Sequence, residues 1–220
     1  MPEVLALFDV DGTLIDSAPL IVDTMARAFA SAGLPAPDPC AVRARIGISL
    51  PLMVAGLIPD HPQTVQDGVV DGYRQAFAAA MDAGPAPPLY PGVARGLAQL
   101  TSAGVTLGIA TGKSRRGVER LLSEHDWRPL FATCQCADDH PSKPHPSMIL
   151  TAIRDTGATA AGTVMIGDSI YDMQMARAAA VQPLGVSWGY ASPDDLAASG
   201  AGDIATDFGD LVHTLLKRHS

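Results

Sequence analysis

Four short polar clusters, each directly after an apolar run, hold the groups in this chain that could do chemistry. The first is Phe8-Asp9-Val10-Asp11-Gly12-Thr13-Leu14. Asp9 and Asp11 are two apart, so extended backbone turns both carboxylates to the same side, and Gly12 permits a sharp turn. The second, Ile109-Ala110-Thr111-Gly112-Lys113-Ser114, ends an apolar run in a hydroxyl and a glycine. The third, Ser142-Lys143-Pro144-His145-Pro146, sets Lys143 in a proline-pinned turn. The fourth, Ile166-Gly167-Asp168-Ser169-Ile170-Tyr171-Asp172, puts Asp168 at a strand end near a helix start. Gathered together, Asp9, Asp11, Asp168 and Asp172 need a cation or bound protons to offset their charge. Oxygen donors alone favour a hard ion, Mg²⁺ before others. Thr111 with neighbouring backbone N–H groups, and Lys143 as a point charge, suits a phosphate. Carboxylates, metal, hydroxyl and lysine together indicate phosphoryl transfer.

The elements that must position these groups follow from the apolar pattern. Residues 4–8, 105–110, 131–134, 164–166 and 183–186 are short apolar runs of the kind that form buried parallel strands. Helix-period stretches at 93–103, 114–124, 146–156 and 172–179 lie between them. That alternation predicts an α/β fold, a Rossmann-like core with a parallel sheet, whose strand ends converge on one crevice. Residues 16–88 break the alternation with helical stretches at 18–32, 39–45, 49–57 and 64–83. Asp38 followed by Pro39 is a helix start. The Pro- and Gly-rich residues 84–92 form a linker. The organisation expected is therefore a catalytic core of residues 1–15 and 89–220, with an all-helical cap domain, 16–88, inserted after the first strand.

Composition bounds the partners. With 15 basic and 23 acidic side chains among 220 residues, the formal charge is −8, and no basic run marks a nucleic-acid binder. No apolar window is long enough to span a membrane. Met1-Pro2-Glu3 and the short apolar run after it lack the features of a signal peptide, and three cysteines make no disulfide framework. A cytoplasmic location is expected. Only three of the basic residues are lysines, Lys113, Lys143 and Lys217.

The ordered set D-V-D-G-T, T-G, K-P and G-D-S-x-x-D resembles the haloacid dehalogenase superfamily of hydrolases, and it covers nearly the whole chain. The opening F-D-V-D-G-T-L-I-D-S and residues 42–47 are similar to the phosphoglycolate phosphatase branch. The resemblance implies that Asp9 is a nucleophile forming an aspartyl-phosphate, and that Asp11 is the acid and then the base. It implies Mg²⁺ held by the Asp9 carboxylate, the Asp11 backbone carbonyl and Asp168, with Asp172 supporting directly or indirectly. Thr111, the Gly112 amide and Lys143 would hold the phosphoryl group. Arg43 and Arg45 in the cap are candidates for substrate selection.

Within that superfamily, Asp11 argues against a dehalogenase, and the absence of any lysine before Lys113 argues against a phosphonatase. A sugar-phosphate mutase would need a cap lysine and histidine, whereas the cap offers only His61. The expectation is a Mg²⁺-dependent phosphatase acting on a small, phosphoglycolate-like phosphorylated metabolite. A pyrophosphatase is the nearest rival, and a receiver-like or scaffold protein is a weaker one. Thr111-Gly112-Lys113-Ser114 is not a P-loop, because Leu107 stands where that motif needs glycine. Cys134, Cys136 and His140 fit no zinc spacing.

Overall fold

The computed structural model describes residues 4–219, so the reading of Met1-Pro2-Glu3 lies outside the described residues. In chain order, β1 (Leu5–Phe8) is followed by four helices, α1 (Ala18–Ser31), α2 (Pro39–Arg43), α3 (Leu50–Leu57) and α4 (Gln63–Ala83). Strands and helices then alternate: α5 (Val93–Ser102), β2 (Thr106–Thr111), α6 (Arg115–Glu124), β3 (Phe131–Cys136), α7 (Ser147–Thr156), β4 (Thr163–Gly167) and α8 (Ile170–Ala178). The chain closes with β5 (Gln182–Val186), α9 (Pro193–Ala198), β6 (Asp203–Ala205) and α10 (Phe208–His219). The five strands expected from the apolar runs are present. The sixth, β6, is only three residues long and opens on an exposed aspartate, so no apolar run marks it.

All six strands are parallel, in the order β3-β2-β1-β4-β5-β6. Side chains alternate across the sheet. Ala6 and Phe8 enter one apolar cluster with Leu107, Ile109, Val164 and Ile166, against α5, α6 and α10. Leu5 and Leu7 enter the opposite cluster with Met165, against α7 and α8. Burial of both faces is why these strands read as unbroken apolar runs. After β1 the chain builds outward through β2 and β3, then returns to place β4 on the other side of β1. The end of β1 beside β4 is therefore the switch point at which open α/β sheets form their crevice.

The four helices between β1 and α5 have an apolar cluster of their own, including Met25, Phe29, Val42, Val54 and Val69. The two chain segments joining them to the sheet run side by side. Asp16 N donates to Pro88 O (2.9 Å), Tyr90 N to Leu14 O (3.0 Å), and Ile15 bridges antiparallel to Leu89.

Candidate active site

The switch point places Asp9 and Asp168 after adjacent strands, β1 and β4, in which Phe8 and Ile166 are register partners. Asp9 is fully buried. Its Oδ1 accepts from Val10 N (2.7 Å), while Oδ2 lies 3.0 Å from Lys143 Nζ. Oδ2 is thus a buried oxygen whose one polar neighbour among the described residues is the Lys143 ammonium. Lys143, itself buried, donates to Asp172 Oδ1 at 2.7 Å. Asp172 Oδ2 accepts from Ser169 N (3.1 Å) and Ser169 Oγ (2.6 Å), closing a capping box at the start of α8. Asp168 is held on both oxygens, by Thr13 Oγ1 at 2.9 Å and Tyr190 N at 3.0 Å. Gly12 and Gly189 press so closely on Asp168 that a Cβ on either would fall 2.2 or 2.0 Å from its side chain.

Burial dominates the electrostatics of this cluster. It pushes the Asp9 carboxyl up to about 7 from an ordinary 3.8; the Lys143 ammonium opposes the rise, and Asp172 and Asp11 reinforce it. Asp168 is also raised well above the carboxylate range, by burial and by the charges of Asp9 and Asp172. Lys143 loses hydration too, but Asp172 and Asp9 outweigh that loss and hold it protonated. One oxygen from each of Asp9, Asp168 and Asp172 lies within 4.8 Å of the others. Three buried carboxylates this close, offering oxygen donors alone, fit a hard divalent cation.

Asp11 faces a different set of groups. Its Oδ1 accepts from Ser17 Oγ (2.6 Å) and from Lys113 Nζ (2.8 Å), and its Oδ2 has no hydrogen-bond partner among the described residues. The Asp11 carboxylate is absent from the three-carboxylate cluster. Thr111 ends β2 fully buried, and its Oγ1 accepts from Lys113 N at 3.2 Å. Gly112 packs under the loop between α2 and α3: a Cβ there would fall 2.4 Å from Gly47 O and 3.0 Å from Ile48 O. Gly47, at φ +110°, sits in turn over the cluster, where its own Cβ would be 3.9 Å from Asp9 Oδ2. Ser49 N donates to Ser142 Oγ (2.8 Å), fastening the same loop beside Lys143.

A cavity of about 660 Å³ opens between the four helices and the sheet, with Asp11, Gly112 and Lys113 at one end. Tyr73 and Phe77 of α4 stack in its wall, centroids 5.6 Å apart, and Lys113 Nζ lies 5.7 Å from the Phe77 ring. Burial and the Asp11 charge keep the Tyr73 phenol protonated. The arginines in this wall are Arg74, Arg116 and Arg120.

Comparison with known proteins agrees with this arrangement. Residues 6–186 match the haloacid dehalogenase-like hydrolase family. The chain belongs to that family. A relative named probable phosphatase IndB, from Dickeya dadantii, is 35% identical over 223 residues, spanning 98% of this chain and 96% of its own length. A phosphoglycolate phosphatase of Psychrobacter arcticus is 32% identical, spanning 100% and 98%. Among solved structures, one described as a haloacid dehalogenase-like hydrolase from Bacteroides fragilis superposes with TM-score 0.88. It is 26% identical, over 95% of this chain and 99% of that one.

The structure of this family member brings Asp9, Lys143, Asp168 and Asp172 into direct contact or immediate proximity, with Thr111 and Gly112 on the next strand. It does not bring Arg43 or Arg45 to the cavity. Arg43 is exposed, and Arg45 Nη1 turns back to Ala41 O (2.9 Å) against Gly56. Charge in a helical segment suggested these two, but helix orientation, invisible in sequence, assigns the cavity wall to Arg74, Arg116 and Arg120 instead. Sequence reasoning also passed over Thr13, Ser17, Lys113 and Tyr190 as partners of the carboxylates. Thr13 lies inside the first motif and Ser17 ends the longer opening F-D-V-D-G-T-L-I-D-S, so both could have been suspected as donors. Tyr190, whose hydroxyl accepts from Ser17 N and Ala18 N at 3.2 and 3.0 Å, carries no sequence signal.

Proposed function

We propose that this hydrolase is a Mg²⁺-dependent phosphatase that cleaves small organic phosphomonoesters through an aspartyl-phosphate on Asp9. The observation that carries the reading is Asp9 Oδ2, a buried carboxylate oxygen 3.0 Å from the Lys143 ammonium and held by no other group among the described residues. An oxygen so placed is preorganised to attack, and Lys143 offsets charge on the incoming phosphoryl oxygens. The relatives named phosphatase along the whole chain length support the same reaction class.

In the first half-reaction Asp9 Oδ2 bonds to phosphorus, the ester P–O bond breaks, and Asp11 gives a proton to the departing alkoxide. In the second, Asp11 takes a proton from water as that water attacks phosphorus, releasing phosphate and restoring Asp9. Ser17 and Lys113 fix Asp11 through Oδ1, which leaves Oδ2 for proton transfer. Thr111 and the Gly112 amide orient the phosphoryl group. The metal would be held by Asp9, Asp168 and the Asp11 carbonyl, with Asp172 acting mainly through Lys143 and the α8 start, where its own oxygens are engaged. Bound there, Mg²⁺ would supply positive charge to offset that of the transferring phosphoryl group.

Residues 16–88 act as a cap in this proposal, turning on the paired segments at 14–16 and 88–90. The Gly47 backbone occupies the space beside Asp9 Oδ2, so substrate enters when the cap lifts and reaction follows when it settles. The test is phosphate release from 2-phosphoglycolate, pyrophosphate and sugar phosphates, with Mg²⁺ or with chelator, beside Asp9→Asn. Activity that survives chelation, or that persists in Asp9→Asn, would overturn the assignment.

A further inference from the structure

We infer that the preferred substrate is a phosphomonoester whose alcohol carries a ring-sized, apolar-faced body, held against Tyr73 and Phe77, and not a two-carbon acid such as glycolate. This rests on the phosphatase reading and names the substrate class of the same site. The cavity of about 660 Å³ lies within the range of pockets that enclose drug-sized ligands. Its phosphate end, at Asp11, Gly112 and Lys113, needs only a small part of that space. Beyond it the cap presents Ile21, Met53, Tyr73, Phe77 and Met81, none of which offers a charge to a second anionic group.

The Tyr73–Phe77 pair supplies flat area one helical turn apart on α4, and the ring of Phe77 already rests under Lys113. A planar body joined to the phosphate through a short alcohol would lie on that surface and displace water from apolar walls. A two-carbon body would leave the walls wet. A small carboxylate would also need a cation near the phosphate. Lys113 is committed to Asp11, Arg74 to Asp71 and Arg120 to Asp82 and Glu124. Arg116 is the wall arginine with no ion-pair partner among the described residues, and its side chain is exposed.

The experiment compares 2-phenylethyl phosphate with ethyl phosphate and 2-phosphoglycolate. The first two share a simple alkoxide leaving group and differ by the ring alone. kcat/KM for the phenylethyl ester should exceed both others by about ten- to a hundredfold, the range a well-fitted apolar group gives in an enzyme pocket. Phe77→Ala should remove most of that advantage, lowering kcat/KM for the phenylethyl ester at least tenfold more than for ethyl phosphate. Phe77→Leu should restore part of it, which separates lost contact from a misfolded cap. Calorimetric binding to Asp9→Asn distinguishes the two levels of the argument. Tighter binding of phenylethyl phosphate without turnover by the parent enzyme would sink the hydrolytic reading and keep this one. Equal or better turnover of 2-phosphoglycolate, lost in Arg116→Ala, would overturn the inference and leave the phosphatase standing. Equal affinity for the phenylethyl and ethyl esters would overturn it as well.

Discussion

Lys143 Nζ touches Asp9 and Asp172 in a place from which water is excluded, and each of the three charges depends on the other two. Removing the ammonium leaves two buried carboxylates facing each other. Lys143→Met should therefore cost about 3–5 kcal/mol of stability, the range for breaking a buried ion pair from one side, readable as a lower denaturant midpoint. It should also abolish turnover. Asp9→Asn should lower kcat by on the order of 10³-fold or more, as loss of a nucleophile does. The pH behaviour follows from the raised Asp9 carboxyl, about 7 when folded against an ordinary 3.8. Between pH 4 and 7 the unfolded chain gives up a proton that folded Asp9 retains, so this group makes stability fall as pH rises. Melting in chelator should show Asp9→Asn gaining Tm relative to the parent as pH climbs from 4.5 to 7.5. A flat or falling difference would contradict the raised carboxyl. At this scale the first and fourth motifs exposed Asp9 and Asp168 in sequence, because each sits directly past a strand end, and the third exposed Lys143 through the prolines that pin its turn. Tyr190, reaching Asp168 from 22 positions later in the chain, could not be anticipated, since only the turn after β5 carries it there.

At the scale of elements, the loop between α2 and α3 does what no single motif shows. Its Gly47 and Ile48 carbonyls lie against Gly112, and its Ser49 amide reaches Ser142. A methyl group at Gly112 would fall 2.4 Å from Gly47 O, and the loop would have to yield. Gly112→Ala should lower kcat/KM at least tenfold while moving global Tm by only a few degrees, because the strain is relieved by displacing residues 46–49. Faster hydrogen exchange confined to that loop would accompany it. The strand ends were legible because buried parallel strands are apolar on both faces and stop abruptly at polar residues. The loop's position was not legible. Its composition, Ile46-Gly47-Ile48-Ser49, is that of any connection, and only the docking of α1 to α4 on the sheet lays it over Asp9.

For the molecule as a whole, the helical insertion and the sheet are separate packing problems. The cluster around Met25, Phe29 and Val69 is distinct from the clusters on either face of the sheet. Phe29→Ala should cost about 3–5 kcal/mol by emptying a well-packed site. The loss should appear first as faster hydrogen exchange across residues 18–83, with β1, β2 and β4 still protected. Uniform loss of protection across the sheet would show that the two parts unfold together. The sequence by itself determined the α/β core and the helical insertion, and it carried the residues on which the proposed chemistry rests, because strand periodicity and the polar residues that end strands are local properties of the chain. It also carried the family resemblance that the comparisons bear out. Which arginines face the cavity, which cap residues lie over Asp9, and the size of the space left for a substrate were decided only by tertiary structure. Those features depend on how each helix is rotated about its axis and how one apolar cluster sits above another. Both arise from contacts between residues far apart in the chain, which no local pattern encodes.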